Sequence, residues 1–446
     1  MPTVAFTTLG CKVNQYETQR ILDSFERVGY TVVPFTEVAD VYVINTCSVT
    51  GQAESKSRQT VRRAARQNPN AKVIVTGCAA QMALNKKQFF DAAHILVPNP
   101  QKLDTAKIFF EQFPEYKPAS TNTQTKARPF GGRVRATIKI QDGCSVYCSY
   151  CSIPYTRPVM ASRPYREILE EARDYGRRGF KEIVLTGVLI GSYGPETGSG
   201  GPNFEDLLEM LQDLDEVAQI RISSIETTQV SERLINIMKT PGTKVVPHLH
   251  IPLQSGSTKL LREMNRPYTQ EYYLELCKKL YSEIQDLAIS TDIMVGFPTE
   301  SEEDFEGTLK VCETVRYMRV HVFRFSPRPG TPADVYNDPI SPEVKMERSK
   351  RVMELSHQTA SEFVERYLGR EVDVLVEGKA KPEGLLHGLT RNYIEVEFAG
   401  STSLTGTFAR VRLTSRNGSG ALGELVEASA PRRNLFPLAT MNDEFR

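Results

Sequence analysis

The stretch Gln141-Asp142-Gly143-Cys144-Ser145-Val146-Tyr147-Cys148-Ser149-Tyr150-Cys151-Ser152-Ile153-Pro154 places three thiols in one short loop, spaced C-x3-C-x2-C. The run is too short, and too unlike paired C-x2-C knuckles, to make a zinc ribbon. Three thiolates in one loop can hold three irons of a cubane cluster and leave the fourth iron without a protein ligand. Such an open iron accepts a small molecule through an amine and a carboxylate.

Working outward, the loop follows a strand signal at Arg135–Ile140. Five more strand signals come after it, at Lys181–Leu185, Gln219–Ser223, Pro247–Ile251, Ala288–Val295 and Val320–Phe325. The stretches between, such as 166–179 and 302–317, have helical apolar spacing. Six strand–helix units predict a parallel sheet curved into a partial (β/α)6 barrel, with its site at the carboxyl edge of the strands.

Residues 1–115 also alternate strand and helix. Strands are expected at Val4–Leu9, Val41–Ile44 and Lys72–Val75, with helices over 15–28, up to Arg66, and after the third strand. That alternation predicts a doubly wound parallel sheet. Each strand runs into a cysteine: Leu9-Gly10-Cys11, Asn45-Thr46-Cys47 and Thr76-Gly77-Cys78. Functional groups gather outside the carboxyl ends of such strands. A single free cysteine is often just core, but three at equivalent strand ends predict one shared metal site, without naming the metal.

A polar stretch, 116–130, reads as a linker, and 131–367 as the barrel domain. Five short β-rich runs follow at 371–376, 385–389, 393–398, 406–413 and 424–428. They predict a small all-β barrel within 368–432, and 433–446 reads as a tail. The fold class is therefore α/β: an N-terminal doubly wound domain, a central partial barrel and a C-terminal small β-barrel.

Composition supports a globular chain. Of 446 residues, 40% are hydrophobic and 24% charged, with a net charge of +1, which excludes wholesale disorder. No apolar run approaches the ~20 residues that span a bilayer. Met1–Phe6 lacks the basic start and apolar stretch of an export signal. The expected location is the reducing cytoplasm with no membrane partner, where clustered thiols bind metal or do chemistry. Cys277 and Cys312 lie on predicted helices and read as core. His248 and His250 alternate along a strand with apolar partners, and no metal role is expected for them. Two basic runs stand out: Lys117, Lys126, Arg128, Arg133, Arg135 and Lys139, and, on one predicted helix, Lys56, Arg58, Arg62, Arg63 and Arg66.

C-x3-C-x-aromatic-C after the first strand of a six-unit barrel resembles the radical S-adenosylmethionine signature. S-adenosylmethionine carries the amine and carboxylate that an open iron can bind. The likeness narrows along the chain. Thr8-Leu9-Gly10-Cys11-Lys12-Val13-Asn14-Gln15-Tyr16-Glu17, Asn45-Thr46-Cys47, Gly77-Cys78, His250–Ser257, Met264-Asn265-Arg266-Pro267-Tyr268, Asp292–Pro298 and Ser326–Pro332 resemble, in order, the methylthiotransferase family. The β-rich tail is similar to the RNA-gripping TRAM domain that ends these enzymes.

The resemblance implies two 4Fe–4S clusters, one on Cys144, Cys148 and Cys151 and a second on Cys11, Cys47 and Cys78, with all six cysteines catalytic. It implies S-adenosylmethionine both as methyl donor to sulfur on the second cluster and as radical source. Tyr150, Thr186, Gly187, Glu226, Gln254 and Val295 fall where family members meet S-adenosylmethionine. The implied reaction installs a methylthio group at C2 of an adenine. The segments Cys11–Glu17 and Met264–Thr269 resemble the MtaB-type branch, which acts on N6-threonylcarbamoyladenosine at position 37 of tRNA, 3′ of the anticodon. An unpaired loop base can enter a deep site without the cost of flipping out of a duplex.

Arg62, Arg63, Arg66, Arg128, Arg133 and Arg135 are then candidates for anticodon-stem phosphates. Arg157 is a candidate substrate-side residue, although Pro158 follows it where the family usually has Gly. An electron donor such as a flavodoxin or ferredoxin is an implied partner. Alternative substrates are N6-isopentenyladenosine in tRNA or a ribosomal-protein aspartate. An alternative of another class is a non-catalytic iron–sulfur RNA-binding protein.

Overall fold

A computed structural model describes residues 1–88, 90–118, 134–194, 201–381 and 384–428. Strands β1 (Thr3–Thr8), β2 (Thr31–Val33), β3 (Val41–Thr46), β4 (Lys72–Gly77) and β5 (Ile95–Leu96) form a parallel sheet in the order β2-β1-β3-β4-β5. Every residue of β3 is buried, as a central parallel strand covered on both faces requires. Helix α1 (Lys12–Arg27) covers one face, where Phe25 meets Phe6, Tyr30, Phe109 and Phe110. Helices α2 (Gly51–Gln67) and α3 (Cys78–Asn85) cover the other, through Val61, Ala64, Ala79, Ala80 and Ala83. β2 and β5 were not foreseen. They are edge strands of three and two residues, too short to show a period.

The second unit contains β6 (Arg135–Lys139), a small ribbon of β7 (Gln141–Asp142) and β8 (Ala161–Ser162), then β9 (Glu182–Thr186), β10 (Gln219–Ile222), β11 (His248–His250), β12 (Ala288–Val295) and β13 (Arg319–Arg324). The parallel sheets β6-β9-β10 and β11-β12-β13 are joined by bridges Ile220 to Val245 and Ser224 to His250. The result is the curved six-stranded array expected from the sequence. Alternation sorts its faces. Ile138, Ile183, Ile220, Ile222, Leu249, Ile289 and Ile293 pack under the helices. Arg135, Glu182, Arg221, His248, Ser290 and Arg319 have the opposite parity and face the lumen. Cys277 and Cys312 lie in the apolar core at 1% and 2% exposure.

The third unit is a closed barrel, β14-β15-β16-β18-β17, from β14 (Glu371–Lys379), β15 (Leu385–Thr390), β16 (Glu395–Ala399), β17 (Phe408–Asn417) and β18 (Gly420–Ala428). β17 and β18 run further than expected, up to a hairpin at Gly418-Ser419, because their outward residues are polar and mask the strand signal. Phe363 and Val364 of the helix Pro342–Glu365 belong to the core of this barrel.

This terminal barrel closes the amino end of the lumen. Tyr393 stacks on His248 at 4.4 Å, and Arg221 and Arg319 lie over its ring at 5.0 and 5.4 Å. Arg221 pairs with Glu182 at 2.8 Å, both 1% exposed. Arg135 pairs with Glu377 of the terminal barrel at 2.7 Å. This corrects the expectation that Arg135 meets RNA: it is an internal fastener with its charge already matched. Arg133 and Arg128 lie outside the described residues, as do most of the expected linker and all of the tail. No helix among the described residues is long and apolar enough to cross a membrane.

Arg221→Met leaves Glu182 buried with the Gln219 amide at 2.5 Å and, for charge, only Arg135 at 3.8 Å. We expect a loss of about 3–5 kcal/mol, measured as a lowered thermal unfolding midpoint and partly restored by adding Glu182→Gln.

Candidate metal and substrate site

Strand order β2-β1-β3 reverses the winding between β1 and β3, and ligands gather at such a switch point. Cys11 follows β1, Cys47 follows β3 and Cys78 follows β4, so three neighbouring strands deliver three thiols to one edge. Gly10 has φ +102°, and a Cβ there would stand 2.8 Å from the Cys47 sulfur. Gly77 has φ +97°, and a Cβ would stand 2.3 Å from the Thr46 carbonyl. Only glycine lets these turns close so tightly. Asn14 donates to the carbonyls of Leu9 and Thr46 at 2.9 and 3.0 Å, tying the two turns together. Burial, aided by the neighbouring Cys78 and Cys11 sulfurs and opposed by the Val49 N–H, pushes the Cys47 thiol up to about 11. Burial likewise raises Cys11, against the pull of Arg157.

The second trio sits at the carboxyl end of β6. Gln141 fastens the loop there: its amide donates to the Gly143 carbonyl at 2.9 Å and accepts from the Leu189 N–H at 2.7 Å. Asn265, with φ 57°, donates to the carbonyls of Val146 and Tyr147 at 2.9 and 3.0 Å. The Ser149 N–H donates to the Met264 carbonyl. Burial, then the charge of Cys148, pushes the Cys151 thiol up to about 12. Among the described residues no three Cys, His, Asp or Glu side chains converge on one point as a single ion requires. A four-iron cubane asks for something else, one thiolate on each of three irons. Cys47, Cys78 and Cys148 are buried, Cys144 and Cys151 half-buried and Cys11 exposed, and two such trios of free thiols fit such clusters, since coordinated iron stabilises the thiolate.

A buried charge network joins the two trios. Arg157 reaches Glu17 at 2.9 and 2.8 Å, Asp142 at 2.7 Å and the side-chain amide oxygen of Asn14 at 3.0 Å. Lys102 and Lys139 also pair with Glu17, at 2.6 and 2.7 Å. Arg157 is 4% exposed. This corrects its reading as a substrate-side residue, because its guanidinium is taken up between the domains. Pro158 keeps Arg157 out of the helical conformation and ends the short helix Ile153–Thr156. Asn85 and Asn99 add further bonds across the junction, to the carbonyls of Tyr155 and Thr156 at 3.0 and 2.8 Å. Sequence reasoning missed this network, although Glu17 and Arg157 both lie in motifs it quoted.

The expected S-adenosylmethionine residues divide. Tyr150 is half-buried beside Cys148, Cys151 and Arg266. Thr186 is 2% exposed, with Gly187 packed on Gln141 at the same lip. Glu226 forms a forked pair with Arg266 at 2.6 and 2.7 Å, and Arg266 also reaches the Cys148 sulfur at 3.1 Å. Arg266 is thus a site residue that sequence reasoning quoted but did not assign. Gln254 has φ 68° and its main chain bonds to Asp292 and Met294. Val295 departs from expectation: its side chain is fully buried against the helices, leaving only its main chain near the mouth. On α2, Arg62, Arg63 and Arg66 are exposed, with Arg62 held by Asp91 at 2.9 Å.

Residues 3–96 match the Uncharacterized protein family UPF0004, residues 138–312 the Radical SAM superfamily and residues 365–426 the TRAM domain. The threonylcarbamoyladenosine tRNA methylthiotransferase MtaB of Bacillus subtilis is 38% identical over 427 residues, spanning 93% of this chain and 94% of that protein. A tRNA-2-methylthio-N(6)-dimethylallyladenosine synthase of Geobacillus kaustophilus is 34% identical, over 94% of this chain and 81% of its own length. The structure of TsrM, a radical S-adenosylmethionine methyltransferase from Kitasatospora setae with cobalamin and a 4Fe–4S cluster bound, shares the fold at a TM-score of 0.51. It covers 75% of this chain and 77% of its own, at 14% identity.

Burial alone would raise the Glu17 carboxyl, but Lys102, Arg157 and Lys139 outweigh it and hold it well below the usual range. Asp142 is lowered in the same way. A depressed carboxyl stabilises the fold above its unfolded pKa, about 4.3 for Glu, and that stability is lost as the pH falls toward the folded value. The domain junction should therefore loosen on acidification below about pH 4. Glu17→Gln should loosen it already at neutral pH and flatten the acid dependence, both read by limited proteolysis across a pH series.

Proposed function

The chain belongs to the radical S-adenosylmethionine methylthiotransferase family, and on that footing we propose that it methylthiolates C2 of N6-threonylcarbamoyladenosine at position 37 of tRNA. The observation that carries the reading is the pair of thiol trios at the carboxyl ends of two parallel sheets, fastened to each other through Arg157. Cys144, Cys148 and Cys151 hold one 4Fe–4S cluster beside S-adenosylmethionine, and Cys11, Cys47 and Cys78 hold the other. Bound there, these groups supply the radical chemistry that an unactivated adenine C2–H requires, together with the sulfur and methyl group to be installed.

The chain's own residues do the rest. Gln141 and Asn265 hold the first cysteine loop at the lumen's rim, and Tyr150 shields it from water. Arg266 orients Glu226, whose carboxylate is placed for the ribose hydroxyls of S-adenosylmethionine. Gly10 and Gly77 bring Cys11, Cys47 and Cys78 to the same rim, so that two cofactor sites address one substrate atom. The polar lumen suits the hydroxyl and carboxylate of a threonylcarbamoyl group better than a hydrocarbon isopentenyl group. Arg62, Arg63 and Arg66 meet phosphates of the anticodon stem, which makes binding salt-sensitive. A flavodoxin or ferredoxin of the cytoplasm delivers the electron.

Anaerobic reconstitution should load about eight irons per chain, and Cys11→Ala should hold about half of that. Cys148→Ala should abolish 5′-deoxyadenosine formation. In a strain lacking the protein, nucleoside mass spectrometry should show loss of the 2-methylthio-threonylcarbamoyl nucleoside and retention of the isopentenyl one. The reverse outcome would overturn the substrate reading.

A further inference from the structure

The lumen is lined with charge, and its described cations are matched. Arg221 has Glu182, Arg135 has Glu377, Arg319 has Glu395, Lys139 has Glu17 and Asp142, and Arg266 has Glu226. His250 lies 3.3 Å from Asp292. Lys12 is different. No hydrogen bond or ion pair engages its ammonium among the described residues, although it interacts at longer range with Tyr393, Glu182, Arg135, Arg221, His248 and His321. Those groups come from β6, β9, β10, β11, β13 and the terminal barrel, so the side chain enters the lumen from above, toward its floor. It is solvent-exposed and yet ringed by protein.

Its placement is not accidental to the chain path. Glu17, five residues on, grips Lys139 on the lumen face of β6, and Tyr16 bonds Glu171 at 3.1 Å. α1 is thereby pinned along the open side of the barrel, with its first turn over the lumen. As a structural choice this lysine is poor. A cation in the first turn opposes the helix dipole, two arginines repel it, and enclosure strips part of its water. Tyr393 and Glu182 attract it only at longer range, and Glu182 is already taken up by Arg221, so an anion arriving from outside would be its first direct partner.

We infer that Lys12 receives the carboxylate of the threonylcarbamoyl group and is the residue by which the lumen distinguishes this nucleoside from an uncharged N6-alkyladenosine. The inference rests on the substrate reading above and adds its recognition element. His250, Ser290 and His321 surround the same space, with His250 bonded to Ser290 at 3.0 Å, and offer the hydroxyl and carbamoyl groups their polar partners.

The test compares two anticodon stem-loop RNAs on the reconstituted holoenzyme, one carrying the free threonylcarbamoyl acid and one its methyl ester. Equilibrium affinity and kcat/KM are both read. On the wild-type protein the ester should bind about 10- to 100-fold more weakly than the acid. Lys12→Met should lose a similar factor on the acid and little on the ester, while Lys12→Arg keeps the preference. Iron content is measured in each variant, because Cys11 is adjacent. If wild type binds and modifies acid and ester alike, the carboxylate clasp is refuted and the substrate reading stands. If Lys12→Met weakens both RNAs equally, the clasp is likewise refuted. If wild type modifies neither but acts on an isopentenyladenosine stem-loop, the substrate reading itself fails.

Discussion

A guanidinium removed from water holds this molecule's two thiol sites in register. Arg157 leaves the barrel loop just after Cys151 and ends against Glu17 of the N-terminal domain and Asp142 of its own. Two carboxylates and three cations, Arg157, Lys102 and Lys139, share that space, so one positive charge is in excess. The excess lies beside Cys11 and opposes the burial that disfavours its thiolate. One network thus fixes the domain junction mechanically and prepares the N-terminal trio electrostatically. Breaking a buried pair leaves an uncompensated charge, which costs more than the intact pair contributes, so the arrangement is held all or none.

The same logic governs the other end of the lumen. Tyr393, Glu377 and the Arg391 carbonyl come from the terminal β-barrel and complete contacts begun by His248, Arg135 and Arg221. A domain of the kind usually read as an RNA grip is therefore also the floor of the reaction chamber. A partial barrel of six strands leaves its lumen open. Here the N-terminal domain covers the side and rim and the terminal barrel covers the bottom, so the chamber is a property of all three units.

Much of this was legible in residues 135–325, where six strand signals and one cysteine loop predicted a parallel array with its site at the carboxyl edge. The three strand-end cysteines were legible too, since a parallel doubly wound sheet sends its carboxyl ends to one side. Arg157 and Arg135 were misread for a common reason: a basic residue in a loop or at a strand start looks the same in sequence whether it faces phosphate or a carboxylate from another domain. Val295 was misread because a strand's alternation could be counted only after its register was known. Arg266 went unassigned because nothing local says that it reaches both Glu226 and Cys148.

By itself, the sequence determined the longer elements, their order, the thiol-bearing turns and the glycines that permit them, because these depend on local periodicity and backbone freedom. Only the tertiary structure decided which charges are matched and which one is left over. Pairing depends on distances across domains, and no residue spacing along the chain encodes them. Lys12 reads as one more surface lysine until the lumen closes around it with Arg135, Lys139, Arg221, Arg266 and Arg319 already paired.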